Sequence, residues 1–106
     1  MDKVIAVDFD GCLCEANKWP EIGLPNKPVI EELIRLRNSG IKLILFTCRE
    51  GESLANAVRW CESYGLEFDE VNENLQERNE MFGANSRKIS ADEYWDDRAV
   101  VVKFDG

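Results

Sequence analysis

Two short apolar runs, KVIAV at residues 3–7 and IKLILF at 41–46, flank a stretch of helical periodicity, and this alternation restricts the fold more than any other feature. Both runs are β-branched and too short for helices, so they read as buried strands. Between them, KPVIEELIRLRNSG (27–40) places Val29, Leu33 and Leu36, with Ile30 and Ile34, on one helical face. Pro28 suits its first turn and Gly40 its stop. Strand, helix and strand in that order make a βαβ unit, which pairs in parallel.

The rest of the chain continues the alternation. Ser53 is placed to cap a second helix over 54–64, where Leu54, Ala57, Val58 and Cys61 share a face and Gly65 follows. Residues 66–71 form a weaker third strand, 75–82 a short helix, ISADEYW (89–95) a fourth strand and AVVVKF (99–104) a fifth. The expected fold is α/β: a Rossmann-like parallel sheet of about five strands with flanking helices and no cap domain. A chain of 106 residues holds a single domain, 1–106.

In such sheets ligands bind beyond the carboxyl ends of the strands. Strand one ends in Asp8 and Asp10, strand two in Thr47, Cys48 and Arg49, strand three in Asn72, Glu73 and Asn74, and strand four in Asp96 and Asp97. One edge therefore gathers these carboxylates, the Thr47 hydroxyl and the Arg49 cation. Asp8 and Asp10, two apart, leave a strand on the same side and repel unless a cation lies between them. Mg2+ prefers such oxygen ligands. The bland alternative is a pair of exposed turn aspartates.

Histidine is absent, which removes Ser/His/Asp and Cys/His mechanisms and most catalytic zinc sites. The net charge of −8 weighs against nucleic acid as a partner without excluding it. Cys12, Cys14, Cys48 and Cys61 lack a zinc-finger spacing and read as free thiols. Thr47 is placed to donate to a phosphate oxygen, or else to cap a turn. Lys88, in SRKIS, is placed to offset a phosphate charge, or else is a solvated lysine. Asp92 pairs with Lys88 or lies near the metal.

Taken in order, VDFDG, LFTCRE, Lys88 and YWDDRA resemble the four motifs of the haloacid dehalogenase superfamily, over residues 4–98. The resemblance is to its small capless members. It implies a Mg2+-dependent phosphomonoester hydrolase in which Asp8 is the nucleophile and Asp10 the general acid and base. It implies Mg2+ on Asp8, Asp10 (through its carbonyl), Asp96 and Asp97. Thr47 and Lys88 hold phosphoryl oxygens, Gly11 permits the turn beneath the site, and Cys48 and Arg49 join the substrate side. Asp10 itself favours phosphoryl transfer, because family members that displace halide lack this second acid. Cys12 departs from the Thr or Val common after the glycine.

Asp10 and Thr47 are 37 positions apart, room for a flap at residues 12–27 but not for a cap. Trp19 in that flap either touches a substrate ring or covers the core. The alternative to an enzyme is a non-catalytic phospho-accepting or metal-binding module, such as a receiver domain, although VNEN stands where a receiver carries its acceptor. No signal peptide and no membrane-spanning run is evident, so the expected location is cytoplasmic and the expected partner a phosphorylated small molecule or an accessible larger one. The apolar run 99–104 points to a homodimer or to edge pairing.

Overall fold

A computed structural model of the chain describes residues 2–83 and 86–104. Strands β1 (Val4–Val7), β2 (Lys42–Leu45), β3 (Glu70–Val71) and β4 (Glu93–Trp95) form one sheet in the order β3-β2-β1-β4. Every pairing is parallel. Helices α1 (Lys27–Asn38), α2 (Gly51–Ser63) and α3 (Gln76–Phe82) link successive strands. No helix among the described residues is long and apolar enough to cross a membrane.

The pleat sorts the strand residues between two cores. Ile5, Val7, Leu43 and Leu45 pack with Ile30 and Leu33 of α1 and with Ala57 and Cys61 of α2. Val4, Ala6 and Ile44 face the other way, onto a smaller cluster with Leu75 and Ile89. The remaining apolar residues of the expected helix faces, Val29, Ile34, Leu36, Leu54 and Val58, pack half-buried around the larger core. Arg37, in the last turn of α1, pairs with Asp69 at 3.3 Å. The other oxygen of Asp69 accepts the Leu43 N–H at 2.8 Å, which fastens α1 to the second and third strands.

Several boundaries differ from the sequence reading, each for a local reason. The second helix begins at Gly51, and Ser53 lies inside it, donating its hydroxyl to the Glu50 carbonyl rather than capping. The fourth strand is three residues, Glu93–Trp95, not seven. Side chains take backbone groups in and before the expected strand: the Tyr94 hydroxyl accepts the Ala91 N–H at 3.2 Å and donates to the Ile89 carbonyl, and buried Asn74 holds the residues around it. Its Oδ1 accepts the Ser90 N–H at 2.6 Å, and its Nδ2 donates to the Ser86 and Lys88 carbonyls.

The sheet has four strands among the described residues, not five. Residues 99–104 pair with no described strand, and Val100, Val101, Val102 and Phe104 are exposed. Only Asp96, Asp97 and Arg98 separate β4 from this run. A further parallel strand needs a crossover of about a dozen residues. Asp92 is also relocated: its Oδ2 accepts the Val4 N–H at 2.7 Å and pairs with Arg78 at 3.1 Å, at the end of β1 away from Asp8. It meets neither Lys88 nor the acids.

Candidate active site

The order β3-β2-β1-β4 puts a switch point between β1 and β4, because the chain moves outward from β1 to β2 and β3 and then returns to its other side. Where strand order reverses in this way, a crevice lies outside the carboxyl ends of the two strands. The Asp8 N–H donates to the Trp95 carbonyl at 3.0 Å, so the residues after β1 and those after β4 leave the sheet side by side. A cavity of about 450 Å³ lies above, lined by Asp8, Asp10, Thr47, Cys48, Asp96 and Asp97, together with Ala16, Trp19 and Arg98.

One carboxylate oxygen from each of Asp8, Asp96 and Asp97 lies within 4.8 Å of the others. Burial pushes the Asp8 carboxyl up to about 6, and repulsion from Asp96, Asp97 and Asp10 adds to it, against the opposing hydrogen bond from the Phe9 N–H. That bond, 2.8 Å to Oδ1, fixes the orientation of the side chain. Three oxygens at this spacing with mutual repulsion form a donor set that suits a hard divalent cation.

Phe9, between the two acids, is fully buried and meets Trp60 edge-to-face at 5.5 Å. This anchor leaves Asp8 and Asp10 on the opposite side of the strand end. Asp10 is not part of the three-acid cluster. Both of its oxygens are gripped by Arg49, Nε to Oδ2 at 2.8 Å and Nη2 to Oδ1 at 2.8 Å. The same guanidinium donates to the carbonyls of Pro20 at 2.9 Å and Glu21 at 3.2 Å. Its guanidinium carbon lies over the Phe9 ring at 5.0 Å and over the Trp19 ring at 4.7 Å. Arg49 is 1% exposed, so it is an internal clamp on Asp10 rather than a substrate contact.

Thr47 is held by Asn72, whose Oδ1 accepts the Thr47 N–H at 2.8 Å and whose own φ is +55°. The Thr47 Oγ1 accepts the Arg49 N–H at 3.2 Å, which leaves the hydroxyl hydrogen free to point into the cavity. Cys48 is exposed on the same wall. Lys88 is exposed and is not among the described residues that line the cavity; its carbonyl is held by Asn74. The lining cation is Arg98, whose N–H is accepted by Asp96 at 2.9 Å. Its position next to Asp97 was the available signal. For Asn72 and the Arg49 clamp, nothing in spacing or composition distinguishes them from ordinary turn residues.

Gly11 has φ +85°, and a Cβ there would lie 2.7 Å from the Asp97 Cγ. Gly11→Ala should therefore both strain the backbone, by roughly 1–3 kcal/mol, and push Asp97 away from Asp8. A lowered Tm together with weakened Mg2+ binding by calorimetry checks this. Unchanged Mg2+ affinity would show that Asp97 does not need its backing.

The cysteines divide by burial. Cys14 and Cys61 belong to the core, and Cys12 packs against it. Burial pushes the thiols of Cys12 and Cys61 up to about 12, with Asp8, Asp97 and Asp96 adding to the effect at Cys12, and Cys14 and Glu62 at Cys61. Burial also raises Cys14. Such thiols are poor nucleophiles and poor metal ligands. A thiol-reactive dye should label Cys48 quickly and the other three only after unfolding. Rapid labelling of two or more sites would contradict this packing.

No protein-family model matches the chain, and no curated protein matches it. Among solved structures it is similar to a conserved protein from Bacteroides thetaiotaomicron, with 41% identity and a TM-score of 0.81, over 94% of this chain and 79% of that one.

Proposed function

We propose that this chain, which belongs to the same family as the conserved Bacteroides thetaiotaomicron protein, is a Mg2+-dependent phosphomonoester hydrolase that works through an aspartyl-phosphate on Asp8. One observation carries the reading: Asp8, Asp10, Thr47, Asp96 and Asp97, drawn from three separate strand ends, line one cavity at the sheet's switch point. Acids brought so close are unfavourable unless the site has a use for them.

The residues divide the work as follows. An Asp8 oxygen attacks phosphorus as the bond to the leaving oxygen breaks, giving the aspartyl-phosphate. The hydrogen bond from the Phe9 N–H to Asp8 Oδ1 keeps the other oxygen aimed at the substrate. The Thr47 hydroxyl donates to a non-bridging phosphoryl oxygen, and Arg98 at the rim offsets the incoming charge. Asp10 protonates the leaving oxygen and then takes a proton from the water that hydrolyses the intermediate. Because Arg49 donates to both of its oxygens, Asp10 must first take up a proton from solvent as that pair loosens; it gives this proton to the leaving oxygen and regains one from the attacking water. Asp8, Asp96 and Asp97, with the Asp10 carbonyl, would hold Mg2+, which when bound screens the repulsion between nucleophile and phosphate and stabilises transition-state charge.

Purified protein with Mg2+ should release phosphate from 4-nitrophenyl phosphate, and chelation by EDTA should abolish the release. Asp10→Asn should stop turnover and leave phosphate trapped on Asp8. A broad panel of phosphomonoesters without any hydrolysis would sink the enzymatic reading. A stable phosphoprotein without turnover in the wild type would point to a phospho-accepting module instead.

A further inference from the structure

The cavity walls differ sharply in chemistry. Asp8, Asp96 and Asp97 form the acidic end, where the phosphoryl group belongs under the reading above. The rest of the described lining is Asp10, Thr47 and Arg98, with Ala16, Trp19 and Cys48 as its less polar part. Trp19 is not a loosely placed surface residue. One face of its indole lies against the Arg49 guanidinium at 4.7 Å. Arg49 is itself locked by Asp10, by the Phe9 ring at 5.0 Å and by two carbonyls of the flap, Pro20 and Glu21. The flap is closed at its base, where the Asn26 N–H donates to the Leu13 carbonyl at 2.8 Å and the Glu15 N–H to the Leu24 carbonyl at 3.0 Å.

Trp19 nonetheless remains 56% exposed. A large apolar ring with one face fixed by a buried cation and much of its surface open is a preorganised stacking platform. We infer that Trp19 is the specificity-determining residue of this cavity and that the substrates are phosphomonoesters carrying a planar aromatic ring close to the phosphate. A sugar would find no amide side chain in the described lining, where Asp10 is engaged by Arg49 and Thr47 and Arg98 serve the phosphoryl group under that reading, whereas a ring gains a stacking face. Arg49 beneath the indole adds rigidity without competing for the ligand, since its hydrogen bonds are spent on Asp10 and the flap.

The inference rests on the phosphatase reading for the position of the phosphoryl group, and binding of non-hydrolysable phosphonates separates the two. With Mg2+ present, phenylphosphonate should bind about tenfold more tightly than methylphosphonate by calorimetry, equivalent to ~1.4 kcal/mol. Trp19→Ala should reduce that ratio to near one, and Trp19→Phe should keep most of it. Because the ratio is taken within each variant, loosening of Arg49 affects both ligands alike. A wild-type ratio below about twofold, or a ratio that survives Trp19→Ala, overturns the inference. A ring preference in a protein that hydrolyses no phosphomonoester would sink the hydrolase reading and leave the ring site standing. Hydrolysis without ring preference would do the reverse.

Discussion

Asp8→Asn should abolish phosphate release, by at least about a thousandfold, and at the same time raise the Tm of the metal-free protein above pH 6. The first effect follows, under the proposed mechanism, from loss of the attacking oxygen. The second follows from the electrostatics of the switch point. The Asp8 carboxyl is pushed up from 3.8 to about 6 by burial, with Asp96, Asp97 and Asp10 adding repulsion. A carboxyl raised in the folded state binds its proton more tightly there than in the unfolded chain. Its favourable contribution is complete below 3.8 and is lost as pH rises through about 6. Above that pH the metal-free native state carries the full penalty of an ionised Asp8, and asparagine removes it. The amide oxygen can still accept the Phe9 N–H.

The Tm advantage of Asp8→Asn should therefore be largest at pH 7–8 in EDTA and shrink toward pH 4. Saturating Mg2+ should reverse it, because cation binding at 100 times Kd adds about 2.7 kcal/mol to the wild type and far less to the variant. Thermal unfolding of both proteins at pH 4.5 and 7.5, with EDTA and with Mg2+, reads all of this at once. A variant less stable than wild type in EDTA at pH 7.5 would show that the three acids are not in conflict.

Arg49→Met should be the most destabilising substitution near the site. Its side chain is 1% exposed and pairs with Asp10, itself 22% exposed. Removing one partner of a buried pair costs about 3–5 kcal/mol. The partial exposure of Asp10 places the expectation at the lower end. In a domain this small, ~3 kcal/mol lowers Tm by more than about 10 °C. The loss has parts that can be separated. Asp10→Asn in the Arg49→Met background removes the orphaned carboxylate and should restore some stability, a coupling that a double-mutant cycle measures.

Arg49→Lys should rescue little, since a point charge supplies neither the two parallel bonds to Asp10 nor a flat surface between Phe9 and Trp19. The Pro20 and Glu21 carbonyls also lose their donor, so limited proteolysis should cut the flap first. A Tm within about 2 °C of wild type would mean that the clamp contributes little to stability.

The elements that local pattern can specify are legible in the sequence. β1 is a continuous apolar run and β2 is one after its first residue, Lys42, and α1 and α2 carry apolar residues at helical spacing. That Asp8, Asp10, Thr47, Asp96 and Asp97 meet follows from a topological rule applied to strand ends, and all five line one cavity. The rule says nothing about which way a long side chain turns. Arg49 follows Thr47 by two residues, as a phosphate-binding cation would, but it folds inward onto Asp10. Lys88 precedes the fourth strand, and its side chain is not counted among the described lining of the cavity.

By itself, then, the sequence determined the order of strands and helices, the parallel sheet and the identity of the acids at its carboxyl edge, because periodicity and connection rules act over a few residues at a time. The tertiary structure alone decided where β4 begins, since the side chain of Asn74 occupies the backbone groups before it. It likewise decided that the run 99–104 has no strand to pair with among the described residues, that Asp92 belongs to the far end of β1, and that Asp10 is held by Arg49. Each of these depends on partners tens of positions away, competing for the same hydrogen bonds in a space that only the folded chain defines.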